Sequence, residues 1–282
     1  MLVRIAGTPI LHGADLACAA GELVAVVGPN GAGKSTLARA VAGLQPLAGG
    51  AVHWHGEPLQ RLRARRLARV RAFVPQRPRV PEGVTVRDAV RIGRSPHVGP
   101  LRRMTRADHD AVERALDRVN AGAFAERMLT TLSGGELQRV QIAVALAQEA
   151  PALLADEPTS HLDLGAAAAV ARLLRGLADD GLAVVLVVHD LALAAAVADR
   201  VVVMAGGRTV ASGPAHDVLD AARIADVWRV DAALDTDPDG RTALRVSWLA
   251  PTSDPSRVAA GRDPDLARHT SSSDPRKEPV SP

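Results

Sequence analysis

Residues 23–44 read "LVAVVGPNGAGKSTLARAVAGL", and this stretch decides the fold. "LVAVVG" (23–28) is a short unbroken apolar run rich in β-branched residues, as expected of a strand buried on both faces. "KSTLARAVAGL" (34–44) reads as a helix. Between them, Gly28–Ser35 fits G-x-x-x-x-G-K-[ST]. Glycines at this spacing let several backbone N–H groups turn inward around phosphates. The helix that follows presents its positive end to the same place. On this reading Gly28, Pro29, Asn30, Gly31, Ala32, Gly33, Lys34, Ser35 and Thr36 form a phosphate cradle. Lys34 reaches the β- and γ-phosphates of a nucleotide and Ser35 ligates Mg²⁺.

Two further runs, "ALLA" (152–155) and "LAVVLVV" (182–188), have the character of buried strands. Helical patterns at 165–180 and 191–199 follow them. Alternating strands and helices imply an α/β fold with a mostly parallel core sheet, and the glycine loop makes it a P-loop NTPase. Residues 84–150 carry helical patterns with no convincing strand, as a helical subdomain inserted into the core would. "RVVVMAGGRTVASG" (200–213) reads as a hairpin turning at Gly206-Gly207. The ordered domain is expected over 1–249. The stretch 250–282 is rich in Pro, Ser and Asp, and its five basic and five acidic residues make it a neutral, disordered tail.

"ALLADEPTSHLD" (152–163) puts two adjacent acids at the C-terminal end of a buried strand, the edge where parallel sheets bind ligands. Asp156 suits the acid that holds Mg²⁺, directly or through water. Glu157 suits a base or orienter for an attacking water. A pair of helix-capping acids is the plainer alternative. His189 closes "LVVHD" at the end of another strand; a γ-phosphate contact is favoured there over a purely structural role. A second glycine stretch, "LSGGELQ" (132–138), precedes a good helix. The amides of Ser133, Gly134 and Gly135 at that N-terminus would make another anion site.

Composition narrows the class. Net charge is +3 over 282 residues, too little to argue for nucleic acid as partner. The dense run "RLRARRLARVR" (61–71) holds six arginines and no acid; it is either a solvated helix face or a phosphate-binding patch. Lys34 and Lys277 are the only lysines in an arginine-rich chain, so a lysine at 34 stands out. Cys18 is alone, which fits a reducing compartment. His53 and His55 lack further ligands at zinc spacing and read as surface residues. No apolar run approaches the ~18 residues that span a bilayer, so a soluble chain is expected.

With these motifs in order, the chain resembles the ATP-binding subunits of ABC transporters. The resemblance spans about 2–220 and rests on "GPNGAGKST", "VPQ" (74–76), "LSGGE" (132–136), "LLADEP" (153–158), "SHLD" (160–163) and His189. It implies that Gln76 touches Mg²⁺ and the attacking water and links the core to the helical part. It implies that Asp163 lies at a subunit interface, and that "LAGGAVHWHGEPL" (47–59) forms a small antiparallel β part. It also implies a head-to-tail homodimer with two ATP molecules between the subunits, in which Ser133–Gly135 close on the partner's nucleotide. Glu157, Gln76 and His189 would then carry hydrolysis, with Ser35, Asp156 and Gln76 around the metal.

One departure concerns adenine, which the family usually stacks on an aromatic ring ahead of the first glycine loop. Aligning "RIAGTPIL" (4–11) puts Ile5 near that place, and the chain has no Tyr. Either the contact is apolar or the natural chain begins upstream. "GRSPH" (93–97) and "DEPTSHLDL" are similar to the ATPases of iron-siderophore, haem and cobalamin importers, with zinc and manganese importers second because Thr159 stands where those more often carry Phe. A separate integral-membrane permease, docked around 84–104 at the cytoplasmic face, and indirectly a solute-binding protein are the implied partners. A DNA- or ribosome-acting ABC ATPase is disfavoured, since the chain has one cassette and no long heptad insertion.

Overall fold

The computed structural model describes residues 1–77, 80–99, 102–236 and 242–248; the tail expected over 250–282 lies outside them. Strands β1 (Leu2–Ile5) and β2 (Thr8–His12) form an antiparallel pair ahead of the buried strand β3 (Leu23–Val27). Helix α1 (Lys34–Val41) leaves the glycine loop, and it stops three residues before the expected end, with Gly43 in the left-handed region at φ 72°. A two-stranded ribbon, β4 (His53–Trp54) with β5 (Glu57–Pro58), precedes α2 (Ala64–Val70) and β6 (Ala72–Val74). The region 84–150 carries α3 (Val86–Ile92), α4 (Arg106–Arg118) and α5 (Gly134–Leu146), with no strand among its described residues.

The core then resumes with β7 (Ala152–Asp156), α6 (Leu164–Asp179), β8 (Ala183–Val187), α7 (Leu191–Val197), β9 (Arg200–Ala205) and β10 (Arg208–Gly213). A C-terminal portion adds α8 (Ala215–Val218), α9 (Ala221–Trp228) and the hairpin β11 (Ala232–Thr236) with β12 (Thr242–Val246). The six-stranded sheet runs β10-β9-β3-β8-β7-β6 and is parallel apart from the edge strand β10.

Strand periodicity sorts the core into two layers. In β3, Leu23, Ala25 and Val27 join one hydrophobic cluster while Val24 and Val26 join the other. The same split separates Leu153 and Ala155 from Leu154 in β7, and Val184 and Leu186 from Val185 and Val187 in β8. The first face is covered by α3–α7, the second by α1 and the β1–β2 pair. Both clusters are built mainly from Ala, Val and Leu, as the scarcity of aromatics requires.

Several strands were not foreseen from sequence: β1, β2, β6, β11 and β12. The first two are half-exposed and interrupted by polar residues. β6 has three residues and is a strand only because Ala72–Val74 pair in register with Leu153–Ala155. The basic run is largely a solvated face, with Arg61, Arg63, Arg65, Arg66 and Arg69 exposed. Arg71 donates from Nε to the Ala42 carbonyl (2.7 Å), Arg65 and Arg69 donate to the Pro96 carbonyl (2.8 and 3.0 Å), and Arg66 pairs with Glu57 (2.7 Å). Arg65, Arg66, Arg69 and Arg71 of this run thus also act as cross-links.

Candidate functional site

Parallel strands deliver chemistry to their C-terminal edge. β3 ends at the glycine loop, β6 leads to Gln76, β7 ends at Asp156-Glu157, and β8 runs into Val188-His189. Register fixes their relative heights: Asp156 pairs with Val187, and Val26 with Val187 across β8. The Glu157 N–H donates to the Val187 carbonyl (3.0 Å), which locks the acidic turn beside His189.

The glycine loop is shaped by its surroundings. A Cβ on Gly28 would lie 2.2 Å from the Met204 carbonyl oxygen, and Gly28 has φ 153°. Gly33, at φ 96°, precedes α1 as its N-cap. Lys34 is buried and donates from Nζ to the carbonyls of Gly28 (2.8 Å) and Pro29 (3.1 Å). Burial lowers its pKa, while Glu157 and Asp156 oppose that shift. Ala32 is buried beneath the loop.

Asp156 is fully buried, and burial raises its pKa against the hydrogen bond from Ser35. Ser35 Oγ donates to Asp156 Oδ1 (2.9 Å), while Oδ2 is buried without a partner among the described residues. A hydroxyl and a carboxylate with one unsatisfied oxygen form a hard-oxygen donor set suited to Mg²⁺. Glu157 lies in the left-handed region at φ 51°, unusual for a carboxylic acid side chain in mid-loop. Its carboxylate accepts from Gln76 Nε2 and from Ser160 Oγ (3.2 Å), and meets His189 Nε2 at 2.5 Å. Two other segments, those after β6 and β8, and its own turn therefore aim one carboxylate.

These groups line a cleft of about 700 Å³. Of the expected residues, Asn30, Gly31, Gly33, Lys34, Ser35, Thr36, Gln76, Glu157 and His189 line it. Gly28, Pro29 and Ala32 are not among the lining residues; the Gly28 and Pro29 carbonyls hold Lys34. Sequence reasoning missed Ile10, Arg77, Ser160 and His161, which also line it. Ser160 and His161 belong to the quoted "SHLD" stretch; Ile10 carries no local signal. Ile5 is 45 % exposed and is not among the lining residues, whereas Ile10 is. Asp156 sits beneath the floor.

Ser133, Gly134, Gly135 and Asp163 lie elsewhere. Ser133 caps α5 in a capping box: its Oγ accepts from the Glu136 N–H (3.3 Å), and its own N–H donates to Glu136 Oε2 (2.8 Å). Asp163 caps α6, accepting from the Ala166 N–H (2.8 Å). Gly135 and Leu162 bring these two caps together: a Cβ on Gly135 would stand 2.9 Å from Ala166 Cβ, and one on Gly134 3.5 Å from Leu162 Cδ2. Both helix starts thus form one exposed patch apart from the cleft.

Residues 11–160 match the ABC transporter family, just over half of the chain and all of the glycine loop, Gln76, the "LSGGE" stretch and the acid pair. The chain belongs to that family. As an ABC ATPase, it is 46 % identical over 242 residues to a hemin import ATP-binding protein of Streptomyces coelicolor, covering 85 % of this chain and 84 % of that protein. Among solved structures, it resembles a metal-chelate type ABC transporter in an inward-facing conformation, with a TM-score of 0.71 and 28 % identity over 82 % of this chain and 88 % of that one. A dimeric bacterial ABC transporter cassette superposes with a TM-score of 0.66 and 27 % identity, over 76 % of this chain and 95 % of that one. In this ABC ATPase no helix among the described residues is long and apolar enough to cross a membrane.

Proposed function

We propose that this ABC ATPase powers an importer for haem or a chemically related iron chelate or cobalamin, acting as a homodimer on a separate permease at the cytoplasmic face of the membrane. The observation that carries the ATPase part is Glu157, a buried carboxylate aimed by Gln76, Ser160 and His189 across a cleft from Lys34. Lys34, Thr36 and the amides of Gly28–Ser35 hold the phosphates. Ser35, Asp156 and Gln76 would hold Mg²⁺, a role that the unpartnered Asp156 Oδ2 supports. Bound there, Mg²⁺ would neutralise charge on the β- and γ-phosphates. Glu157 orients and deprotonates water, and His189 fixes both Glu157 and the γ-phosphate. Ile10 supplies an apolar contact at the cleft edge.

The exposed patch at Ser133–Gly135 and Asp163 supports the dimer. These helix starts have amides to offer and no phosphate site of their own, so they close on the partner's nucleotide. The helical region 84–150 swings with that closure, and its segment around 84–104 faces the permease. The haem cargo follows the hemin-import relative, with a solute-binding protein delivering it from outside.

Glu157→Gln tests the core of this reading. The variant should bind ATP, lose turnover by at least ~100-fold and accumulate as an ATP-bound dimer. Turnover equal to the parent's would remove Glu157 from the mechanism. For the cargo, the ATPase joined to its permease should be stimulated by a haem-loaded binding protein and not by Zn²⁺ or Mn²⁺.

A further inference from the structure

The basic run 61–71 and the "GRSPH" stretch 93–97 play no part in the cleft, yet the fold joins them. Arg65 donates from Nε to the Pro96 carbonyl (2.8 Å) and from Nη2 to the His97 carbonyl (3.0 Å), and Arg69 Nε donates to Pro96 as well (3.0 Å). His97 Nε2 lies 2.8 Å from the Gln148 carbonyl. A carbonyl can only accept, so Nε2 carries the proton. Gln148, two residues beyond α5, donates its Nε2 to the carbonyls of Ala68 and Arg71, the latter at 2.8 Å. Arg71 reaches Ala42, the C-cap of α1. A continuous set of hydrogen bonds therefore joins the end of the glycine-loop helix, the entry to β6 and the C-terminal end of α5.

A second network close by has a different job. Arg94 is buried and bonds Asp108 Oδ1 (3.0 and 2.9 Å), the Ala147 carbonyl (2.8 Å) and Glu149 (2.6 Å). It ties α3, α4 and α5 to one another and leaves the core untouched. The Gln148 set crosses from that helical unit to the core.

Position makes the crossing consequential. α5 has 13 residues, so Ser133 stands about 20 Å from Gln148 at 1.5 Å per residue. A tilt of roughly 10° about the pinned end would displace Ser133–Gly135 by about 3.5 Å, more than the length of a hydrogen bond. We propose that Gln148, with His97, Arg65 and Arg69, is a positioning clasp that sets the tilt of α5 and so places Ser133–Gly135 against the nucleotide of a second copy. This rests on the dimer reading above.

The test uses the full chain carrying Glu157→Gln, with ATP-driven dimerisation followed by sedimentation and ATP binding titrated at protein concentrations where the chain is monomeric. Adding Gln148→Met or His97→Leu should leave monomer affinity within about twofold and raise the half-dimerisation concentration at least ~10-fold, since each symmetric dimer loses the clasp twice. His97→Gln, whose Nε2 can donate to the same carbonyl, should restore dimerisation to within about threefold of the parent. An unchanged midpoint in Gln148→Met overturns the clasp, as does His97→Gln behaving like His97→Leu. Parallel loss of monomer ATP binding would make these residues general supports of the fold and overturn it too. If the Glu157→Gln parent itself stays monomeric with ATP, the dimer reading fails and the clasp with it.

Discussion

Two glycine stretches open two helices in this chain, and they are finished to different degrees. The loop at Gly28–Thr36 is buried against its own core. Its lysine is held by two carbonyls, its serine by Asp156, and the opposite wall supplies Glu157, Gln76 and His189. Ser133–Gly135 also caps a helix, but among the described residues the partner of the Ser133 hydroxyl and N–H is the glutamate of its own capping box. Nothing from the described chain faces it as Lys34 and Glu157 face the first. One site is assembled by folding; the other is an exposed helix start, which the proposed dimer would complete.

That contrast can be broken most severely by exchanging losses. Lys34→Ala should weaken ATP binding by the monomer by about 30-fold, from the loss of charge-assisted bonds. Ser133→Arg should leave monomer binding within about twofold and abolish ATP-driven dimerisation. Fluorescent-ATP titration and sedimentation of the same samples separate the two, and equal loss of monomer binding in both would end the distinction.

Glycine replacement sharpens it through stability. Gly28→Ala forces a Cβ to 2.2 Å from the Met204 carbonyl oxygen and should cost about 3 kcal/mol in denaturant unfolding. Gly134→Ala meets only an ordinary contact with Leu162, so it should stay within about 0.5 kcal/mol while weakening dimerisation. A large loss of stability in Gly134→Ala would show a fold requirement at the second stretch.

The smallest effect concerns what steadies each helix. α1 packs on the apolar sheet, whereas α5 depends in part on the Arg94–Asp108 network at its far end. Hydrogen bonds from Thr105, with the Arg94 charge, hold the Asp108 carboxyl down to about 2. A depressed carboxyl stabilises the fold above its unfolded value near 4 and loses that contribution as pH falls toward 2. Asp108→Asn should therefore cost about 2 kcal/mol at neutral pH, with the gap to the parent closing between pH 4 and pH 2. A constant gap across that range would remove the charge from the explanation.

Legibility in the sequence followed how local each signal is. Strands β3, β7 and β8 announced themselves because a parallel strand buried on both faces is apolar at every position. Gly28–Ser35 was legible because backbone geometry around phosphate dictates residue type and spacing. The adjacent acids at 156–157 could be placed once β7 was recognised. β6 could not, because its three residues form a strand only through pairing with β7. Ile10 reaches the cleft because β2 packs beside the start of α1, a contact that its local sequence does not show. The arginines of 61–71 were legible as a charged face, but sequence does not show which carbonyls Arg65, Arg69 and Arg71 will meet.

The sequence by itself determined the α/β class, the phosphate loop, the acid pair and the family, since each follows from residue type at short, fixed spacing. Tertiary structure alone decided that Ser160 joins Gln76 and His189 on one carboxylate, and that the caps at Ser133 and Asp163 share one exposed patch. It also decided that Gln148 ties two distant arginine-rich and histidine-bearing segments to the end of α5. Those relations join residues up to 81 positions apart, and only strand register and helix packing set such distances.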